Sequence, residues 1–137
     1  MSPVAGYSGT PLAKKLGIST GMTVHAANAP PSFVDLLGPL DAVTWKSQLR
    51  APIDVAVAFF TKAADVTARW PKLTAAVGHH GVIWVAWPKK SSGMATDLTE
   101  NEFRTLLLPS GWVDVKVCAI DDTWSGLKFV LRKELRF

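Results

Sequence analysis

The sequence predicts an α/β fold, a mostly parallel sheet finished by a C-terminal antiparallel hairpin. Three observations predict it. Ile53–Phe60 and Val82–Trp87 are almost continuously apolar, as strands covered on both faces are. Capped helical stretches separate the strands, the alternation that builds parallel sheets through right-handed crossovers. Val113–Ile120 and Trp124–Lys133 instead alternate apolar with polar residues around Asp121-Asp122-Thr123, which fits a half-solvated hairpin at a sheet edge.

The bulk figures fit one domain over residues 1–137. A chain of 137 residues can bury a substantial core. Hydrophobic residues at 48% against charged residues at 19% make a globular composition, not a disordered one. The net charge of +4 arises from 15 Lys and Arg scattered among 11 acids, so no basic stripe points to nucleic acid. Cys118 is the only cysteine, which excludes an internal disulfide and fits a reducing cytoplasm. The N-terminus lacks signal-peptide architecture, and the longest apolar runs fall far short of the roughly 20 residues of a membrane helix. A soluble cytoplasmic protein with no membrane partner is expected.

In chain order, Thr10-Pro11 sets an N-cap beside a proline at the first helical position and Gly17 gives a stop. Leu12–Leu16 therefore reads as a short helix after a polar, glycine-rich tail, Met1–Gly9. Met22–Asn28 reads as the first strand, ended by Ala29-Pro30-Pro31, and Ser32 is placed to cap a short helix to Leu37. Ala42–Trp45 is a further strand candidate. After Ile53–Phe60, Thr61 is placed to cap a helix to Val77, interrupted near Pro71 where a second segment begins. Gly78 closes that helix and Gly81 opens Val82–Trp87. A polar turn, Pro88-Lys89-Lys90-Ser91-Ser92-Gly93, follows. Thr99 with Glu102 three residues later forms a capping box for a helix ending at Pro109-Ser110-Gly111.

In Val113–Ile120, alternation puts Val113, Val115, Val117 and Ala119 on one face and Asp114, Lys116, Cys118 and Ile120 on the other. Leu127, Phe129 and Leu131 alternate with Lys128, Val130 and Arg132 in the last strand. One connection resists the scheme. Only seven residues separate Trp45 from Ile53, fewer than a helical crossover requires. Either an extended loop crosses there, or Ala42–Trp45 is antiparallel or outside the sheet.

Several strings are specific: Tyr7-Ser8-Gly9-Thr10-Pro11-Leu12-Ala13-Lys14-Lys15-Leu16-Gly17, Trp87-Pro88-Lys89-Lys90-Ser91-Ser92-Gly93, Thr96-Asp97-Leu98-Thr99-Glu100, Val113-Asp114-Val115-Lys116-Val117-Cys118-Ala119 and Asp122-Thr123-Trp124-Ser125-Gly126-Leu127. Through them the chain resembles an uncharacterised bacterial family, domain of unknown function 3052, over nearly its whole length. The order of elements resembles the second half of a class I S-adenosylmethionine-dependent methyltransferase, a reduced Rossmann-like sheet. That resemblance implies a glycine-rich turn after the first strand and an acidic residue ending the second. Here those positions hold Asn28-Ala29-Pro30-Pro31 and Trp45-Lys46. Prolines offer no N–H donors and crowd the turn. Both implied cofactor contacts are missing, so no cofactor is expected, and fold alone does not fix function.

In open parallel sheets, ligands bind outside the carboxyl ends of the strands. Those ends deliver Asn28, Thr61-Lys62, Lys89, Lys90, Ser91 and Ser92, and the hairpin turn with Asp122 and Trp124. Two lysines and two serines are suited to phosphate or carboxylate oxygens; the plain alternative is that they solvate a turn. A turn tryptophan such as Trp124 covers either the core or a partner. Trp84 and Trp87, three residues apart in a strand, face opposite sides and read as core. His79-His80 has no third ligand nearby and reads as helix-end solvation, so no metal site is expected. His25 reads as a hydrogen-bonded core residue. Cys118 is either a thiolate favoured by Lys116 or a small apolar filler, the commoner role. The expected function is a non-catalytic module binding a small anionic ligand or a protein partner at the strand carboxyl edge. The alternative is an enzyme acting on a phosphorylated or nucleotide substrate there.

Overall fold

The computed structural model describes residues 11–137. Thr10 and the tail Met1–Gly9 lie outside the described residues. The elements run α1 (Leu12–Leu16), β1 (Thr23–Ala27), α2 (Phe33–Leu37), β2 (Thr44–Trp45), β3 (Val55–Phe59), α3 (Ala63–Val77), β4 (Val82–Pro88), α4 (Glu100–Leu107), β5 (Trp112–Ala119) and β6 (Trp124–Leu131). They form one mixed six-stranded sheet in the order β2-β1-β3-β4-β6-β5. β2, β1, β3 and β4 are parallel, and the β5–β6 hairpin joins antiparallel through β6. The two apolar strands β3 and β4 are adjacent, parallel and central, because only strands covered on both faces can be apolar on both.

Two cores flank the sheet. Val55, Val57, Phe59, Trp84 and Ala86 face one, beneath Leu12 and Leu16 of α1 and Phe33 and Leu37 of α2. Ala56, Ala58, Ile83, Val85 and Trp87 face the other, beneath Val66, Trp70 and Leu73 of α3 and Phe103 and Leu107 of α4. Trp84 and Trp87 thus enter opposite cores, as strand periodicity requires. His25 is buried, and its Nδ1 lies 2.8 Å from the carbonyl of Lys46.

The short crossing is an extended loop. β2 is parallel to β1, and residues 46–54 pass back under the α3 side to β3, with Leu49 against that core. Extended chain gains about 3.3 Å per residue, so this loop reaches about 30 Å. Returning along a five-residue strand and across two strand spacings needs only about 20 Å. The strand itself shrinks to Thr44–Trp45.

Three local expectations are corrected. Ser32 occupies the N-cap position of α2 in helical conformation and makes no side-chain capping bond. Thr61 does not cap α3: Lys62 holds the N-cap position, without a side-chain bond. Nor does Pro71 divide α3, which is continuous through it. The ring deprives the Thr67 carbonyl of its helical donor, yet Val66, Trp70, Leu73 and Val77 form one unbroken buried stripe spanning the proline. Burial of that stripe outweighs one lost hydrogen bond.

The alternation in β5 also breaks. The pairing with β6 slips between Asp114 and Lys116, leaving Val115 as a bulge. Residues before and after the bulge therefore exchange faces: Val113 pairs with Val130 on the α1 side, whereas Val117 pairs with Leu127 on the α3–α4 side. Lys116 stands directly opposite Lys128, while Val115 and Val117 remain exposed on the outer strand. Asp114, on the other face, accepts a hydrogen bond from Arg104, which also pairs with Glu100 and so ties α4 to β5.

Because Pro71 is exposed and costs α3 a hydrogen bond, Pro71→Ala is expected to raise the unfolding free energy by about 1–3 kcal/mol. A denaturant midpoint at or below the parent's would show that the helix accommodates the ring without cost.

Candidate functional site

The sheet order puts a reversal between β1 and β3: the chain proceeds from β1 to β2 on one side, then returns to β3 on the other. In doubly wound sheets the ligand crevice opens at the carboxyl ends of such a pair. Here β1 leads into Asn28, exposed and left-handed at φ 56°, a conformation asparagine tolerates. The next element, α2, sets Phe33 edge-on to Phe59 at the end of β3, with ring centroids 5.1 Å apart. Trp124 from the hairpin packs on the other side of Phe59, also at 5.1 Å. Phe33 and Phe59 are buried and Trp124 is 8% exposed. Beside the β1–β3 switch, three buried rings thus pack together on the α2 side.

One strand further along, at the end of β4, a cleft of about 470 Å³ opens, within the roughly 300–1,000 Å³ typical of small-molecule sites. Buried Trp87, Pro88 and Leu98 line it, together with Lys89 and Lys90 after β4, the segment from Thr96 to Glu100, and Ser125 of β6. Sequence explains each part. Apolar β4 runs out into Lys89, whose N–H is held by the Thr123 carbonyl at 2.8 Å, so the hairpin turn abuts the lysines. Asp121 shapes that turn by accepting N–H bonds from Thr123 and Trp124 at 2.8 and 2.7 Å. Gly93, left-handed, ends the single helical turn after Lys89.

The segment from Thr96 to Glu100 is a strap. Thr96 Oγ1 donates to the Thr61 carbonyl at 2.6 Å and accepts the Leu98 N–H, while Leu98 sinks into the core. Asp97 Oδ1 accepts the N–H of Ala63 at 2.8 Å, so the cap of α3 comes from a residue 34 positions away. Thr99 Oγ1 then accepts the Glu102 N–H at 3.1 Å, opening α4 as its capping-box spacing requires.

Of the residues singled out from sequence, Lys89 and Lys90 line this cleft. Ser91 is exposed in the turn beside it, and Ser92 is spent on the turn itself, donating to the Lys89 carbonyl and accepting the Met94 N–H. Asp122 is exposed in the hairpin turn and Trp124 is core-facing. Asn28 ends a strand two places from β4, about 10 Å across the sheet. Thr96, Asp97, Thr99, Glu100 and Ser125 were not anticipated in the site. The strings Thr96-Asp97-Leu98-Thr99-Glu100 and Asp122-Thr123-Trp124-Ser125-Gly126-Leu127 contain them, and Thr99 also carries the capping-box spacing. Cys118 is half-buried on the α1 side; burial pushes its thiol up, with Lys15 and Lys116 pulling the other way, so it is a neutral thiol near pH 7.

Compared by structure, the chain is similar to solved methyltransferases. A Sulfolobus solfataricus protein assigned as a type 11 methyltransferase gives a TM-score of 0.62 at 12% identity, covering 89% of this chain and 90% of that one. An S-adenosylmethionine-dependent methyltransferase from Aquifex aeolicus gives 0.59 at 14% identity, covering 86% of each chain. Magnesium protoporphyrin IX methyltransferase from Synechocystis, solved with bound S-adenosylmethionine, gives 0.56 at 11% identity, covering 88% of this chain and 74% of that one. Such identities establish a shared Rossmann-like fold and nothing finer. Compared by sequence, the chain matches no protein-family model and no curated protein.

Asp97→Ala is expected to lower stability by about 1 kcal/mol through loss of the α3 cap, while Asp97→Asn, which keeps an acceptor, loses little. Equal denaturant midpoints for all three proteins would refute the strap's capping role.

Proposed function

We propose that this chain is a cytoplasmic binding module on a methyltransferase-type scaffold. In this reading it takes a small anionic ligand, a carboxylate or phosphate, in the cleft at the end of β4. The observation that carries the reading is how the cleft's charges are committed. Its two acids are already engaged: Asp97 by the Ala63 N–H at the start of α3, Glu100 by Arg104. The ammonium groups of its two lysines make no hydrogen bond or ion pair with any described residue. The two ammonium groups therefore keep their donors for a ligand, and each is suited to anionic oxygens.

Ser91 and Ser92 would frame the turn that presents the lysines, and Asp122 and Trp124 would buttress it from the hairpin. Asn28 belongs to the same carboxyl edge but would act only on a ligand long enough to reach β1. The cleft lies at the end of β4, one strand beyond the β1–β3 switch, which supports a site displaced from the position where this fold binds nucleotides. Among the described cleft residues no nucleophile is paired with a base, which favours binding over catalysis. The sequence likeness to domain of unknown function 3052 is part of the same proposal.

Lysine contacts to a bound anion are worth about 1.5–3 kcal/mol each, so Lys89→Ala with Lys90→Ala should weaken binding about 100-fold or more. Thermal stability should hardly change, because turn lysines that are exposed (Lys90) or half-exposed (Lys89) contribute little to folding. The check is a phosphate titration read from backbone amide shifts of residues 88–93 and 99–101. Unmoved amides in the parent protein would sink the anion site.

S-adenosylmethionine titrated calorimetrically is expected to show no micromolar binding. A dissociation constant near ~1 μM, about −8 kcal/mol, would restore the methyltransferase reading.

A further inference from the structure

Besides the ammonium groups of Lys89 and Lys90, the cleft carries acceptors that the fold leaves half-used. Asp97 gives one carboxylate oxygen to the Ala63 N–H and Glu100 gives one to Arg104; the second oxygen of each has no described partner. Thr99 Oγ1 accepts the Glu102 N–H, and its hydroxyl proton is uncommitted. The Ser125 hydroxyl likewise has no described partner. All six residues line one cleft of about 470 Å³. The two carboxylates differ from the lysines in one respect. Each carboxylate charge already faces a positive partner: the N-terminal end of α3 for Asp97, and for Glu100 the guanidinium of Arg104, which Asp114 shares. What each retains is an acceptor that a neutral hydroxyl satisfies.

The ammonium groups of Lys89 and Lys90 have no described counter-charge. A phosphate monoester carries about −1.5 to −2 charges near pH 7 and three acceptor oxygens, which matches two such groups. A ligand that uses both sets of cleft groups therefore joins a phosphate to neighbouring hydroxyls. An alkyl phosphate would reach the lysines, but its body would displace water from the carboxylate oxygens and return no donor, a loss that weakens binding. Resting on the anion-binding reading above, we propose that the cleft takes phosphate monoesters of polyols and sugars. The phosphate meets Lys89 and Lys90, and the hydroxyls donate to the free oxygens of Asp97 and Glu100. Thr99 and Ser125 donate to hydroxyl oxygens in turn.

Three probes test this on the intact chain: inorganic phosphate, n-propyl phosphate and glycerol 3-phosphate, each titrated by backbone amide shifts of residues 88–93 and 96–101. The two esters share a carbon skeleton and differ only in two hydroxyls. Glycerol 3-phosphate is expected to bind about tenfold tighter than n-propyl phosphate. Asp97→Asn combined with Glu100→Gln separates the roles, because each amide keeps the oxygen already engaged and puts a donor in place of the free one. In that double variant the advantage should fall below about threefold, while inorganic phosphate binds at least as tightly as to the parent, two negative charges having gone. If n-propyl phosphate matches glycerol 3-phosphate on the parent, or the advantage persists in the amide variant, the polyol preference is overturned while the anion site stands. If all three probes leave the parent amides unmoved, the anion site falls and this inference with it.

Discussion

The buried indole of Trp84 is the constraint on which the rest of the structure depends. It sits at the middle of β4, fully buried, and its Nε1–H donates to the carbonyl of Leu16 at 2.9 Å, across 68 positions of sequence. That bond satisfies a carbonyl at the end of α1 that would otherwise be buried without a donor. The same ring fixes the next strand. A Cβ at Gly126 would lie 3.3 Å from Trp84 Cε3 and 3.2 Å from Ile120 Cδ1, so a glycine facing the indole lets β6 lie against β4 without crowding either side chain. With β6 seated, Thr123 reaches Lys89 and Ser125 reaches the cleft. One side chain thus sets the helix, the hairpin and, through the hairpin, part of the lining of the candidate site.

How far the chain could be read without its structure depended on the range of the forces involved. β3 and β4 were visible because burial on both faces writes itself into consecutive residues. The α4 cap was visible because Thr99 and Glu102 are three apart. The α3 cap was not, since its acceptor, Asp97, is brought to Ala63 only by the completed sheet. Pro71 misled because a local rule met a longer buried stripe that overrides it. The bulge at Val115 was invisible because the sequence keeps alternating while the pairing slips. The site followed the same division: Lys89 and Lys90 follow directly from the end of β4, but the place of the strap and the distance to Asn28 depend on strand order.

The fold and the site pull apart in an informative way. The fold is similar to that of solved methyltransferases, one of them solved with S-adenosylmethionine, and beside the β1–β3 reversal Phe33, Phe59 and Trp124 pack together. Edge-to-face rings at these distances add about 0.5–1.5 kcal/mol per pair beyond their burial. The packed rings therefore stabilise the carboxyl end of the sheet. An open groove there would leave the same rings in water.

The outer strand β5 carries a further consequence, for how molecules of this protein meet one another. An open strand edge invites a strand from another molecule, and exposed Val115 and Val117 would add to that attraction. The bulge at Val115 interrupts the row of backbone groups that such a strand would have to match, and Lys116 sets a charge beside the break. Lys128 behind it adds a second charge of the same sign. A strand arriving from solvent finds neither a continuous ladder nor a neutral surface. The irregularity that spoiled the sequence pattern is thus a barrier to sheet growth from one molecule to the next in a concentrated solution.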